Sequence, residues 1–112
     1  MKIYVKNATK IQLNWLVAQI ESEPLSAVIV GYVTGKGRPA GKYNPCGDWS
    51  QGGPIIEQHW AKLTRYIYLQ FGDDWANRMR VEGRSTLEVF MLHYVTNKLG
   101  VAVEIPHELE GV

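Results

Sequence analysis

Four residues near the middle of the chain, Cys46, Asp48, Glu57 and His59, carry the groups that acid–base or nucleophilic chemistry requires. They offer a thiol to attack, two carboxylates and an imidazole to move protons. Their spacing matches no established pairing of nucleophile and base. Cys46 stands between Pro45 and Gly47, and Asp48 is equally explained as a turn residue whose carboxylate bonds the amides of its own loop. A small enzyme built around Cys46, Asp48 and His59 is therefore kept as an alternative behind a binding role. Metal chemistry has less support, since Cys46, His59, His93 and His107 lack the paired close spacing of zinc ligands. No metal and no cofactor is expected. His93 falls within a helical pattern and reads as a core-edge or surface histidine in need of a partner.

These residues belong to a longer stretch, Tyr43 to Glu57, rich in residues that ordinary packing does not require. Its glycines permit crowded or left-handed backbone, its prolines fix φ, and its Asn, Asp, Ser and Gln side chains bond readily to nearby main chain. It reads as a structured Gly/Pro-rich loop, with Tyr43, Asn44, Asp48, Trp49, Gln51 and Glu57 as the candidate binding residues. The architectural alternative has Trp49 filling the core, Asp48 capping a turn and Gly52-Gly53-Pro54 starting a helix.

The elements that must position this stretch follow from periodicity. Ile3 and Val5 alternate with Lys2, Tyr4 and Lys6, a short half-buried strand. Thr9 and Gln12 form a capping box, and Leu13, Leu16, Val17 and Ile20 recur at helical spacing, predicting a helix over about 10–22 that Pro24 stops. The β-branched run 27–34 predicts a central strand. It leads into Gly35 to Lys42, which looks like a phosphate loop but has five residues between Gly35 and Gly41 instead of four, Tyr43 in place of Ser or Thr, and Asn44-Pro45 where a helix should start. A mobile basic loop is the better reading. Pro54 opens a short third helix to about Lys62. From Leu63 to Phe71 apolar residues alternate with Thr64, Tyr66, Tyr68 and Gln70, and Trp75, Met79 and Val81 return after the Gly72-Asp73-Asp74 turn, predicting a hairpin with strands near 63–71 and 75–81. Ser85 and Glu88 form a second capping box before a helix over about 85–99 that ends at Gly100. The fold class expected is α+β, a small and mainly antiparallel sheet packed against two main helices.

Composition bounds the rest. At 112 residues the chain forms one domain, 1–112, burying roughly 65% of its unfolded surface. A net charge of +1 supplies no global field for nucleic acid. A local alternative survives: Tyr66, Tyr68, Arg78 and Arg80 on one face of the hairpin, with Lys36, Arg38 and Lys42 near in sequence, could stack bases and meet phosphates. Absence of a signal peptide, of a long apolar run and of a second cysteine fits a reducing cytoplasm and no membrane span. Four Trp, six Tyr and two Phe exceed what a small core needs, and aromatic anchors are typical of interfaces.

The chain resembles the NinX-like family of small proteins from tailed phages and prophages. The residues that carry the likeness are Leu13-Asn14-Trp15 and Val17-Ala18, Tyr43-Asn44-Pro45, and above all Asp48-Trp49-Ser50-Gln51-Gly52-Gly53-Pro54-Ile55-Ile56-Glu57. Tyr94-Val95, Lys98-Leu99-Gly100, Glu104-Ile105-Pro106 and Glu108-Leu109 extend it. His59-Trp60 and most of 62–84 depart from the family pattern. The resemblance implies a phage or prophage accessory protein in the cytoplasm of an infected bacterium, and it brings no catalytic residues. With the aromatic excess, it leads to a non-catalytic binding module whose partner is a host or phage protein, or a second copy of the chain.

Overall fold

Thr9 Oγ1 accepts a hydrogen bond from Gln12 N at 3.2 Å, and Thr9 N donates to Gln12 Oε1 at 2.9 Å, so the first helix begins with the expected reciprocal cap. That helix, α1, spans Lys10–Ile20 in the computed structural model, which describes residues 1–22, 28–29, 32–33 and 43–111. Leu13, Leu16 and Val17 are buried as the spacing predicts. The start of α1 is also tied to the far end of the chain, since Gln12 Nε2 donates to Leu109 O at 2.9 Å. Pro24 and the basic loop 35–42 lie outside the described residues.

Before α1 comes strand β1 (Lys2–Tyr4), shorter than the alternation implied because Val5 turns inward, fully buried, in a 3-10 turn over Val5–Asn7. The expected central strand over 27–34 is instead two short strands, β2 (Val28–Ile29) and β3 (Tyr32–Val33), paired antiparallel with Ile29 opposite Tyr32. Neighbouring segments pair at the lowest loop-closure cost, and β-branched residues suit a strand in either arrangement.

Helix α2 (Trp49–Gln58) starts well before Pro54. Asp48 is its cap: Oδ1 accepts from Ser50 N at 2.9 Å and from Ser50 Oγ at 2.7 Å. Pro54 therefore sits inside the helix, and the Gly/Pro-rich stretch is loop only over 43–48. The chain bends at His59, which leaves helical geometry at φ −106° and ψ 14°, and resumes as α3 (Trp60–Phe71). The short helix expected over 54–62 thus spans this bend instead of forming one unit.

The predicted hairpin is absent. Residues 60–71 are α3, and 75–78 form a single helical turn, α4 (Trp75–Arg78). Leu63 and Ile67 are buried and Phe71 half-buried, a four-residue spacing, whereas Leu69, which alternation turns inward, is 71% exposed. Arg65 already broke the alternation between Leu63 and Ile67, and it is exposed. Gly72, at φ 79°, ends α3 with its N–H on Tyr68 O at 2.7 Å.

Helix α5 (Thr86–Leu99) is the centre of the fold, with α1, α2 and α3 packed around it. Every residue from Val89 to Val95 is buried, so it is apolar nearly all round, as a central helix must be. Ser85 Oγ accepts from Glu88 N at 3.1 Å, but the return half of the expected capping box is missing. Glu88 instead pairs with Arg84, Nη1 to Oε2 at 2.5 Å, a hydrogen bond charged on both sides where one from the Ser85 amide would be charged on the acceptor side alone. Arg84 Nη2 also donates to Ala8 O at 2.6 Å, clamping the start of α5 to the turn before α1. After Gly100, strand β4 (Ala102–Glu104) pairs antiparallel with β1, Ile3 opposite Val103. The architecture is a mostly helical α+β arrangement.

Candidate functional site

The polar residues of the 43–57 stretch bond mainly to one another and to α1. Asn44 N donates to Gln51 Oε1 at 2.7 Å, and Gln51 Nε2 donates to Asp48 Oδ2 at 3.1 Å. Asn44 O takes the amides of Gly47 and Asp48 at 3.2 and 2.9 Å. Asn14, buried on α1, reaches across to this loop: Nδ2 donates to Asn44 Oδ1 at 3.0 Å and Oδ1 accepts from Cys46 N at 3.0 Å. Hydrogen bonds from the Ser50 side chain and then its amide hold the Asp48 carboxyl below the usual carboxylate range, so the cap stays charged. Tyr43 is buried. Of the six candidate residues, Asn44, Asp48 and Gln51 form this network, Tyr43 joins the interior, and Trp49 and Glu57 face solvent. Trp49 is 57% exposed and does not fill the core, although its ring lies 3.9 Å from where a Cβ on Gly53 would stand.

The enzyme alternative loses its nucleophile. Cys46 is fully buried, and burial, helped by the charge of Glu88, pushes its thiol up to about 12. It stays protonated at neutral pH and behaves as a small apolar core residue. His59 meets different partners, at the joint between α2 and α3. Its Nε2 lies 3.4 Å from Tyr94 Oη and 3.9 Å from Glu21 Oε2, and Tyr94 Oη donates to Glu21 Oε2. Burial first, then the bond and charge of Glu21, raise the Tyr94 pKa, so the phenol remains a donor. This Glu21–His59–Tyr94 cluster joins the end of α1, the α2–α3 bend and the middle of α5. No sequence pattern relates three such distant residues. It brings a carboxylate, an imidazole and a phenol into contact.

The nucleic-acid alternative depended on a hairpin face that does not form. Tyr66 is half-buried on α3 with its ring 6.2 Å from that of His93, and Arg78 at the end of α4 donates to Phe71 O at 3.2 Å. Tyr68 and Arg80 are exposed on separate segments. What α3 does present is Trp60, Thr64 and Tyr68 at four-residue spacing, with Arg65 and Trp75 beside them around a shallow depression of about 340 Å³. Trp60 packs edge-on to Trp75 with centroids 6.4 Å apart, and tilted to Phe90 at 6.1 Å.

His93 is buried, not at the core edge, between the rings of Tyr66 and Phe71, with Phe71 edge-on at 5.5 Å. Its Nε2 has no hydrogen-bond partner among the described residues. Such an orphan costs about 1–3 kcal/mol. Burial also holds its pKa below the ordinary 6.5. Below that pH the unfolded chain binds a proton that the folded chain resists, so stability is complete above about pH 6.5 and falls as the pH drops. Urea unfolding at about pH 7.5 and 5.5 should show a loss up to roughly 1.4 kcal/mol larger for the native chain than for His93→Phe. Equal losses would mean that His93 is free to take its proton in the fold.

A mostly helical α+β domain whose conspicuous motif is a hydrogen-bonded loop and capped helix is the class of protein that this geometry defines. The family model described as Bacteriophage P22, NinX, matches residues 5–98, and the chain belongs to that family of phage proteins. No curated protein matches the chain. No helix among the described residues is long and apolar enough to cross a membrane.

Proposed function

We propose that the chain is a non-catalytic binding protein that acts in the cytoplasm of a phage-infected bacterium, meeting a host or phage protein through the outward aromatics of α2 and α3. The observation that carries this reading is that Trp49, Trp60 and Tyr68 are 57%, 48% and 47% exposed on consecutive helices. Burying such rings within the fold would stabilise a small domain, so large aromatics left in water are the informative exception. Trp, Tyr and Arg are also the residue types that dominate binding energy at interfaces, and Arg65 lies beside Trp60 and Tyr68. Within the 43–57 stretch we assign contact to Trp49 and Glu57. Tyr43, Asn44, Asp48 and Gln51 hold the platform, because their side chains are buried or bonded locally.

The test compares tagged native chain with Trp49→Ala and Tyr68→Ala in capture from lysate of phage-infected cells, with light scattering to detect self-association. Both side chains are exposed, so urea midpoints should move little. Specific retention of a protein should fall by roughly tenfold in at least one variant. Retention unchanged in both would remove this face. A strict monomer that retains only nucleic acid, more weakly at higher salt, would turn the reading to the nucleic-acid alternative.

A further inference from the structure

Helix α3 carries Lys62 and Arg65 and no acidic residue, whereas Asp73 and Asp74 follow Gly72, which ends it. Lys62 lies in the first turn, so the order is the reverse of what the helix dipole favours, and the charges do not serve α3 itself. All four are exposed, and Lys62, Arg65 and Asp73 make no ion pair among the described residues. Asp74 Oδ1 accepts from Asn77 Nδ2 at 2.9 Å, and Arg78 on α4 donates to Phe71 O, which leaves Asp73 as the unpaired charge at that end. Between the two sets stands Leu69, at 71% the most exposed large apolar side chain among the described residues, with Tyr68 beside it. Arg65 is four residues before Leu69 and Asp73 four after it. Lys62, Arg65 and Leu69 recur at i, i+3 and i+7, on one outward stripe. An acidic partner would suit the cations and be repelled at Asp73, and a basic partner the reverse. A surface of the same pattern run backwards satisfies both ends and covers the leucine.

We propose, building on α3 as a contact face, that its outward stripe pairs antiparallel with that of a second copy of this chain about a two-fold axis beside Leu69. Arg65 of each copy meets the partner's Asp73, and Leu69 packs on the partner's Leu69. A two-fold interface repeats every contact, so both ion pairs form together around one apolar centre. Lys62, further from the axis, adds attraction for the same acidic turn.

Sedimentation velocity of the full chain from about 5 µM to about 1 mM tests this, with an expected dimer Kd of about 100 µM or tighter. Arg65→Glu and Asp73→Lys each set two like-charge pairs against one another and should weaken the dimer at least roughly tenfold. Both positions are exposed, so thermal melts of the variants should match the native chain. An equimolar mixture of the two variants places opposite charges at both contacts again, and should dimerise within about threefold of the native chain. A native chain still monomeric at about 1 mM, a dimer indifferent to either charge reversal, or variants that stay monomeric when mixed would each overturn the pairing. Failure of the pairing and failure of the binding role give different results. A monomer that still loses its captured protein in Tyr68→Ala removes the pairing alone, whereas a dimer restored by mixing, with capture unchanged in Trp49→Ala and Tyr68→Ala, upholds the pairing and removes the host or phage partner.

Discussion

Replacing Asn14 by alanine should lower the unfolding free energy by about 3 kcal/mol. Asn14 is 6% exposed, and its amide holds two groups of the loop at once, Asn44 Oδ1 and the amide of Cys46. Truncation leaves both without their α1 partner. Each buried group stripped of its bond costs about 1–3 kcal/mol, and water has no open path to Cys46 N beside a fully buried side chain. The effect is larger than that of a surface polar residue because Asn14 joins segments thirty residues apart in sequence. Asn14→Asp separates the two bonds. It keeps an acceptor for Cys46 N but sets a carboxylate oxygen against Asn44 Oδ1, so it should recover only part of the loss. Urea midpoints for the three chains at pH about 7 measure this directly, and a change below about 0.5 kcal/mol in Asn14→Ala would show that the loop does not depend on the bridge.

Gly52→Ala should be comparably severe, about 3 kcal/mol, and for a steric reason. A Cβ at Gly52 would stand 2.2 Å from Pro45 O and 2.8 Å from Leu87 Cδ1, so helix α2 could not approach the 43–48 loop without displacing backbone. The neighbouring glycine makes the contrast. A Cβ at Gly53 would meet only the Trp49 ring, at 3.9 Å, an ordinary contact. Alanine there should be neutral or stabilising by up to about 1 kcal/mol, since glycine is the poorer residue inside a helix. Thermal melts of the two single variants give the comparison. Equal destabilisation would indicate that both positions need glycine for its backbone freedom and not for space.

The two changes divide the Gly-Gly pair into a residue required by packing and one that is not. The sequence marks this stretch as unusual but ranks its residues poorly. Asp48 as a turn residue that bonds nearby amides was legible from its short acceptor side chain, but its place as the cap of α2 was not, because the helix was expected to start only at Pro54. Trp49 as an exposed ring was not, since a tryptophan reads as apolar wherever it stands and only packing decides which side of α2 faces water. The regrouping of the enzyme candidates has the same origin. Cys46, Asp48 and His59 lie close in sequence, but the α2 axis separates the loop from the bend that carries His59, and His59 finds Glu21 and Tyr94 instead.

By itself the sequence determined α1 and α5, their caps at Thr9 and Ser85 and the glycine stop at Gly100. These rest on residues within four positions of one another, so the information is complete locally. Tertiary structure alone decided that 60–71 is a helix. Leu63, Ile67 and Phe71 satisfy a four-residue repeat, and with Leu69 they nearly satisfy a two-residue one. The choice fell to the surface of α5, which buries Leu63 and Ile67 on one side and leaves Leu69 in water. It also decided that Arg84 should take Glu88 from the expected capping box and that His93 should be enclosed by Tyr66 and Phe71. Those outcomes depend on which helices α5 collects around itself, a property of three-dimensional contact that no spacing along the chain records.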